Sequence, residues 1–166
     1  MSAVQYRAML DIQTAIVGAI ESGSLPGLFA PNVVLQKVPT DRNQSLPMVS
    51  ISPLPEAMAP EDGLNSADGI IYNILLALIA ADNQSQLAGP NGITYQQVLS
   101  WRQNLRRLFN AITPAQLQFT PQTTEMMVMW VKPQAVAGIG AWQRRNLLLS
   151  MLLVQVKCRE TRAQGS

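Results

Sequence analysis

The chain has 166 residues, enough for one domain with a real hydrophobic core that needs neither disulfide nor metal to hold it. Apolar residues make up 48%, yet only 13% are charged, about half the usual globular share, and histidine is absent. Without histidine there is no His-assisted nucleophile, no histidine general base and no usual zinc or haem site, and the single cysteine, Cys158, excludes an internal disulfide.

Charge is unevenly distributed. Residues 1–82 carry eight acids against three bases, and residues 83–166 carry two against nine. Chance and fold geometry explain such a split, and so does head-to-tail association of an acidic face with a basic one. Low charge density with eight methionines also suits extensive protein–protein surface. The opening "MSAVQYRAMLDIQ" lacks a basic segment followed by an apolar one, so no secretory leader is expected.

The first predicted element is a helix, with Val4, Met9, Ile12, Ile16, Ala19 and Ile20 at near-helical spacing. It stops at "SGSLPG". Two short strands follow, "NVVLQKV" (32–38) and "LPMVSISPL" (46–54), separated by the turn "PTDRNQS". Residues 55–69 hold Pro, Gly and four acids and read as an extended loop.

"GIIYNILLALIAAD" (69–82) is apolar on both alternate sides, so periodicity alone leaves strand and buried helix open. Its β-branched and aromatic start favours a long strand. After the turn "AGPNG" (88–92), Thr94 and Gln97 fit a capping box. The helix then runs to about Asn110 on a stripe of Val98, Trp101, Leu105, Leu108, Phe109 and Ile112, and Pro114 ends it. "TTEMMVMWV" (123–131) reads as a strand closed by Lys132-Pro133, within a second long excursion over 111–145.

The last strand, "NLLLSMLLVQVKCRETR" (146–162), sets Leu147, Leu149, Met151 and Leu153 against Leu148, Leu152, Val154 and Val156. Its apolar run, like that of 69–81, falls short of the roughly 20 residues of a membrane span. Both sides must be covered. The chain's own helices are expected on one; the other is left to the rest of the subunit or to a neighbouring subunit, the neighbour being favoured, with the charged end Lys157 to Arg162 leaving the core. The expected fold is α+β, a mainly antiparallel β-sheet flanked by two principal helices, in a single domain over 1–166.

Chemistry is sparse. "GIG" (138–140) is no complete dinucleotide fingerprint, and Glu61, Asp62 and Asp68 sit in a loop with nothing to tune them. Cys158 lies beside Lys157 and Arg159, but a strand-borne cysteine is more often a small buried hydrophobe. Neither an active site, a cofactor nor a metal is expected. The basic residues Arg102, Arg106, Arg107, Arg144, Arg145, Lys157, Arg159 and Arg162 are candidates for inter-subunit ion pairs or for channel-facing contact with DNA phosphates. They come without the aromatic interleaving of a single-strand binder.

The order of elements, with a short strand carrying "LPMVSI", the long strand "GIIYNILLALIA", a helix containing "WRQNLRRLF" and the long strand "NLLLSMLLVQVKCRETR", resembles the tail-terminator proteins of long-tailed bacteriophages. The resemblance covers residues 4–162 and rests on element order rather than on a motif. It implies a non-enzymatic ring, typically a homohexamer, at the head–tail junction of the virion. The ring would cap the tail tube, stop its polymerisation and offer a docking surface to the neck. The implied partners are other copies of the chain, the tail-tube protein, a neck or head-completion protein, the sheath protein where the tail contracts, and genomic DNA in transient nonspecific contact. Assembly would take place in the host cytoplasm without a membrane. The alternatives are another neck or head-completion connector, or a small nonspecific DNA-binding protein.

Overall fold

The computed structural model describes residues 2–42, 45–58, 67–81, 95–111, 126–135 and 147–161. The first helix, α1 (Ala3–Glu21), starts at Ser2, whose side-chain oxygen accepts from the Gln5 backbone N–H at 3.1 Å. It ends in a Schellman turn. Ser24 N–H donates to Ala19 C=O at 2.9 Å and Gly23 N–H to Ile20 C=O at 3.0 Å, with Gly23 at φ +80°. A single 3₁₀ turn (Ala30–Asn32) leads into β1 (Val33–Leu35), followed by β2 (Met48–Pro53) and the two-residue β3 (Ala57–Met58). The long β4 (Ala67–Ala81), the helix α2 (Tyr95–Ala111), β5 (Met126–Ala135) and the long β6 (Leu147–Thr161) complete the chain.

The sheet order is β1-β2-β4-β6-β5, with β3 on the same flank of β4 as β2. β4 and β6 pair antiparallel along their full length, from Ala67↔Thr161 to Ala81↔Leu147. Residues 69–81 are therefore strand, as their β-branched start suggests, and Asp82 lies outside the described residues. The sheet is mixed, because β1 and β2 run parallel instead of forming the hairpin that a polar turn would give. Residues 36–47 join them, and about a dozen residues is what a parallel crossover needs.

Two further expectations need correction. The loop over 55–69 contains β3, and β4 already begins at Ala67. Lys132-Pro133 does not close β5, which continues to Ala135 with Pro133 opposite Val154. β5 is an edge of the described sheet, and an edge strand tolerates a proline whose missing N–H would face away from its neighbour. Thr94 of the capping box, Ile112, Pro114 and the rest of the 111–145 excursion outside α2 and β5 lie outside the described residues.

Both helices pack on one face of the sheet. Met9, Ile12 and Ile16 of α1 and Val98, Trp101, Leu105 and Phe109 of α2 are buried against the even-numbered residues of β4 and β6 from Tyr72 to Leu78 and from Leu152 to Cys158. α1 lies over β1 and β2, α2 over β5 and β6. Polar side chains fasten the layers where apolar ones do not. Gln5, itself buried, donates to Leu54 C=O at 2.8 Å, and Gln13 donates to Val33 C=O at 2.7 Å. The turn after α1 holds α2 through Trp101 Nε1–H to Pro26 C=O at 2.7 Å and Asn104 Nδ2 to Ser24 C=O at 3.1 Å.

That turn needs Gly27, which sits at φ +88°. An added Cβ there would lie 2.7 Å from Gln97 Nε2 and 3.3 Å from Trp101 Cζ2. The Gln97 amide can swing aside, but the backbone angle cannot relax, so Gly27→Ala is expected to cost about 1–3 kcal/mol. Gly18, inside α1 with nothing within 4 Å of a built Cβ, is expected to behave oppositely. Gly18→Ala should gain about 0.5–1 kcal/mol through helix propensity. Urea unfolding of both variants measures this, and effects of the same sign would contradict the two environments.

The opposite sheet face carries a second cluster, with Met48, Ala77, Ile79, Leu147 and Leu149 buried and Val34, Leu46 and Met151 packed against them. Leu46 belongs to the β1–β2 crossover. On the same face Ser50 Oγ donates to Gln36 Oε1 at 2.6 Å, and Gln36 in turn holds the Thr40 backbone at 3.0 and 3.1 Å. The first residues of β6 are thus covered from within the chain. Further along, Met151 and Leu153 are only half-buried.

Candidate interaction surfaces

Among the described residues the basic groups do not converge. On α2, Arg102 and Arg106 lie one turn apart, and with Leu99 and Gln103 they line a shallow hollow of about 210 Å³. Arg107 is about 100° further round the helix. It borders a different groove of about 670 Å³ between α2 and α1, whose walls include Ala15, Gly18, Ser22, Asn104 and Leu108. Lys157 and Arg159 stand on the far side of the sheet, Lys157 half-buried and Arg159 exposed. Arg144, Arg145 and Arg162 lie outside the described residues. Among the described residues the basic groups therefore stand on opposite layers and do not form one basic wall.

The sheet face bearing Lys157 also carries a row of amides. Gln134 Nε2 donates to Gln155 Oε1 at 2.7 Å, Gln155 Nε2 to Asn73 Oδ1 at 2.9 Å, and Asn73 Nδ2 to Pro55 C=O at 2.8 Å. Three strands are crossed by this chain. It separates the apolar part of the face, Leu75, Met151 and Leu153, from the basic part.

The charged end of β6 does not leave the sheet. Glu160 shares the inward side with Val156 and Cys158, and its carboxylate accepts a hydrogen bond from the Tyr72 hydroxyl, which Ser2 also hydrogen-bonds. Burial and the Glu160 partner both push the Tyr72 phenol up. Alternation along 152–160 was the available signal for this inward glutamate. Cys158 is buried, as expected of a small hydrophobe, and its thiol is pushed up to about 12, first by burial and then by Glu160. It is a poor nucleophile.

Asp11, on the flank of α1 that turns toward α2, was not singled out by sequence. Its carboxyl is pushed up to about 6 by burial, against the pull of Arg7, and its Oδ2 accepts no hydrogen bond among the described residues. The folded chain thus retains a proton that the unfolded chain releases near the ordinary value of 3.8. This group's contribution to stability is intact below about pH 4 and is lost as pH rises through about 6. Asp11→Asn should therefore raise the melting temperature at pH 7 and leave it unchanged at pH 4. An equal shift at both pH values would remove the carboxyl from this role.

Among the described residues no group of three or more Cys, Asp or Glu is placed to hold a metal, and no helix is long and apolar enough to cross a membrane. The described surface carries a basic hollow on α2, a groove between the helices, and a sheet face graded from apolar through amide to basic. The chain matches no protein-family model and no curated protein.

Proposed function

We propose that this chain is a non-enzymatic structural subunit that closes into a ring, most simply a hexamer, at the head–tail junction of a long-tailed bacteriophage. There it acts as a tail terminator: it caps the tail tube, ends its growth and offers a docking surface to the neck. Its partners are further copies of itself, the tail-tube protein and a neck or head-completion protein, with a sheath protein added in a contractile tail. DNA passes through the ring in nonspecific contact. Assembly takes place in the host cytoplasm, and the finished protein resides in the virion.

The observation that carries this reading is the pair of unlike surfaces on one small domain. One is the helix layer, with Arg102 and Arg106 around Leu99; the other is the flank of the sheet at β3, where Glu56 and Met58 are exposed. Ring closure needs two different patches that fit each other, whereas a two-fold dimer needs one self-complementary patch. The long β4–β6 pair and the helices on one face also suit the resemblance in element order. The acidic first half and basic second half of the chain supply charges of opposite sign for such a contact.

Native mass spectrometry of the purified protein and negative-stain imaging of purified tails test the reading. Rings in solution, or one ring at the head-proximal end of each tail, are expected. A protein that stays monomeric at high concentration and is missing from virions overturns it. A monomer that binds duplex DNA with steep salt dependence supports the DNA-binding alternative instead.

A further inference from the structure

We infer that the outward face of α2 receives β3 of a second copy of this chain. The assignment names the contact by which the ring would close, and it rests on the ring reading above.

The receiving patch is the hollow formed by Leu99, Arg102, Gln103 and Arg106. Leu99 is 38% exposed at its edge. α2, "YQQVLSWRQNLRRLFNA", contains three arginines and no acid, so neither guanidinium of the hollow has a carboxylate one turn away. Among the described residues nothing pairs with Arg102 or Arg106.

The complementary patch is β3 with the residue before it. Glu56, Ala57 and Met58 are all exposed, Met58 by 62%. Here an exposed apolar residue follows an exposed carboxylate by two positions along the chain, where the hollow sets an apolar side chain beside two guanidinium groups. The segment 55–69 reinforces the sign, with four acids and no base. An exposed apolar side chain framed by charge is the pattern of a contact with a dry centre and a polar rim.

The two patches do not meet within one molecule. β3 adds to β4 on the β2 side, opposite to β6, while α2 lies over β5 and β6. A second copy brings its β3 to the first copy's α2 and leaves its own α2 free for a third. This is head-to-tail geometry, which continues until it closes.

Charge exchange tests it. One variant carries Arg102→Glu and Arg106→Glu, the other Glu56→Arg and Met58→Arg. All four positions are surface sites, and circular dichroism should show both variants folded as the wild type. In sedimentation velocity each alone should associate at least tenfold more weakly than the wild type. Mixed one to one, they should recover the wild-type species, because each variant's altered patch now fits the other's. The inference is overturned if the wild type assembles while either variant does so equally well, or if the mixture stays apart. It is likewise overturned if the arginine variant assembles normally and has lost only affinity for duplex DNA or for purified tail tubes. A wild type that never associates removes the ring reading and this contact with it, an outcome the variants are not needed to recognise.

Discussion

Trp101→Ala is expected to lower the melting temperature by roughly 10–20 °C. Trp101 is among the largest fully buried side chains, and it works in two ways at once. Its ring fills the space between α2, the sheet and the 24–28 turn, and its Nε1–H donates to Pro26 C=O at 2.7 Å. Truncating a buried tryptophan costs about 3–5 kcal/mol, and loss of the short hydrogen bond adds about 1 kcal/mol, since it leaves the carbonyl only the long bond from Gln97 Nε2 at 3.5 Å. In a domain of this size each kcal/mol moves the midpoint by about 2–4 °C. Trp101→Phe retains an aromatic ring and loses the donor, so it should cost only about 1–2 kcal/mol. Scanning calorimetry of the two variants separates the contributions. If Trp101→Ala cost no more than Trp101→Phe, the indole would not be what holds α2 to the turn.

Leu76→Asp is expected to abolish cooperative folding at neutral pH. Leu76 is fully buried in the middle of β4, between Ile51 of β2 and Leu152 of β6, and under the helix layer. A carboxylate there has no donor to meet, and an unpaired buried charge costs several kcal/mol even after relaxation. That sum, added to the lost leucine packing, takes most of a total stability of about 5–15 kcal/mol. Leu76→Met conserves volume and should stay within about 1.5 kcal/mol of wild type. Leu153→Asp, on the half-buried opposite face, should fold and unfold cooperatively at a much smaller cost. Equal damage from Leu76→Asp and Leu153→Asp would mean that both faces of the sheet are sealed alike.

Some of this fold is legible in the sequence because the pattern has one physical meaning. The stripe from Met9 to Ala19 and that from Val98 to Phe109 fit only amphipathic helices, and both appear with those residues inward. β6 is legible as a strand because no helical polar face runs through Leu147 to Val156. The parallel β1–β2 pair is not, since pattern assigns strands but not the direction in which they pair. Nor is the crossover's role as a cover, because Leu46 and Gln36 become neighbours of β6 and β2 only in three dimensions. Lys132-Pro133 looks like a terminator until the edge position of β5 is known.

The candidate surfaces were legible as composition and misjudged as geometry. Arg102, Arg106 and Arg107 form one cluster in the sequence, yet a single residue of helical rotation sends Arg107 to another groove. Lys157 and Arg159 alternate with Cys158 and Glu160, so the charged end of β6 splits, with its described bases on the far side of the sheet and its glutamate inward. Asp11 carried no sequence signal, because its perturbation comes from packing.

The amide row has a consequence for how the two long strands find each other. Between Leu147 and Val154 the residues of β6 are nearly interchangeable from one side to the other, so sliding by one position would trade leucine for leucine against β4. Hydrophobicity alone cannot forbid that slide. The same slide would turn Gln155 away from Asn73 and Gln134 and bury its amide under the helices without partners, and it would part Tyr72 from Glu160. The greasy half of the ribbon supplies adhesion, and the polar half acts as its alignment mark. A chain with leucine at positions 73, 134 and 155 would keep its strands and lose its single alignment.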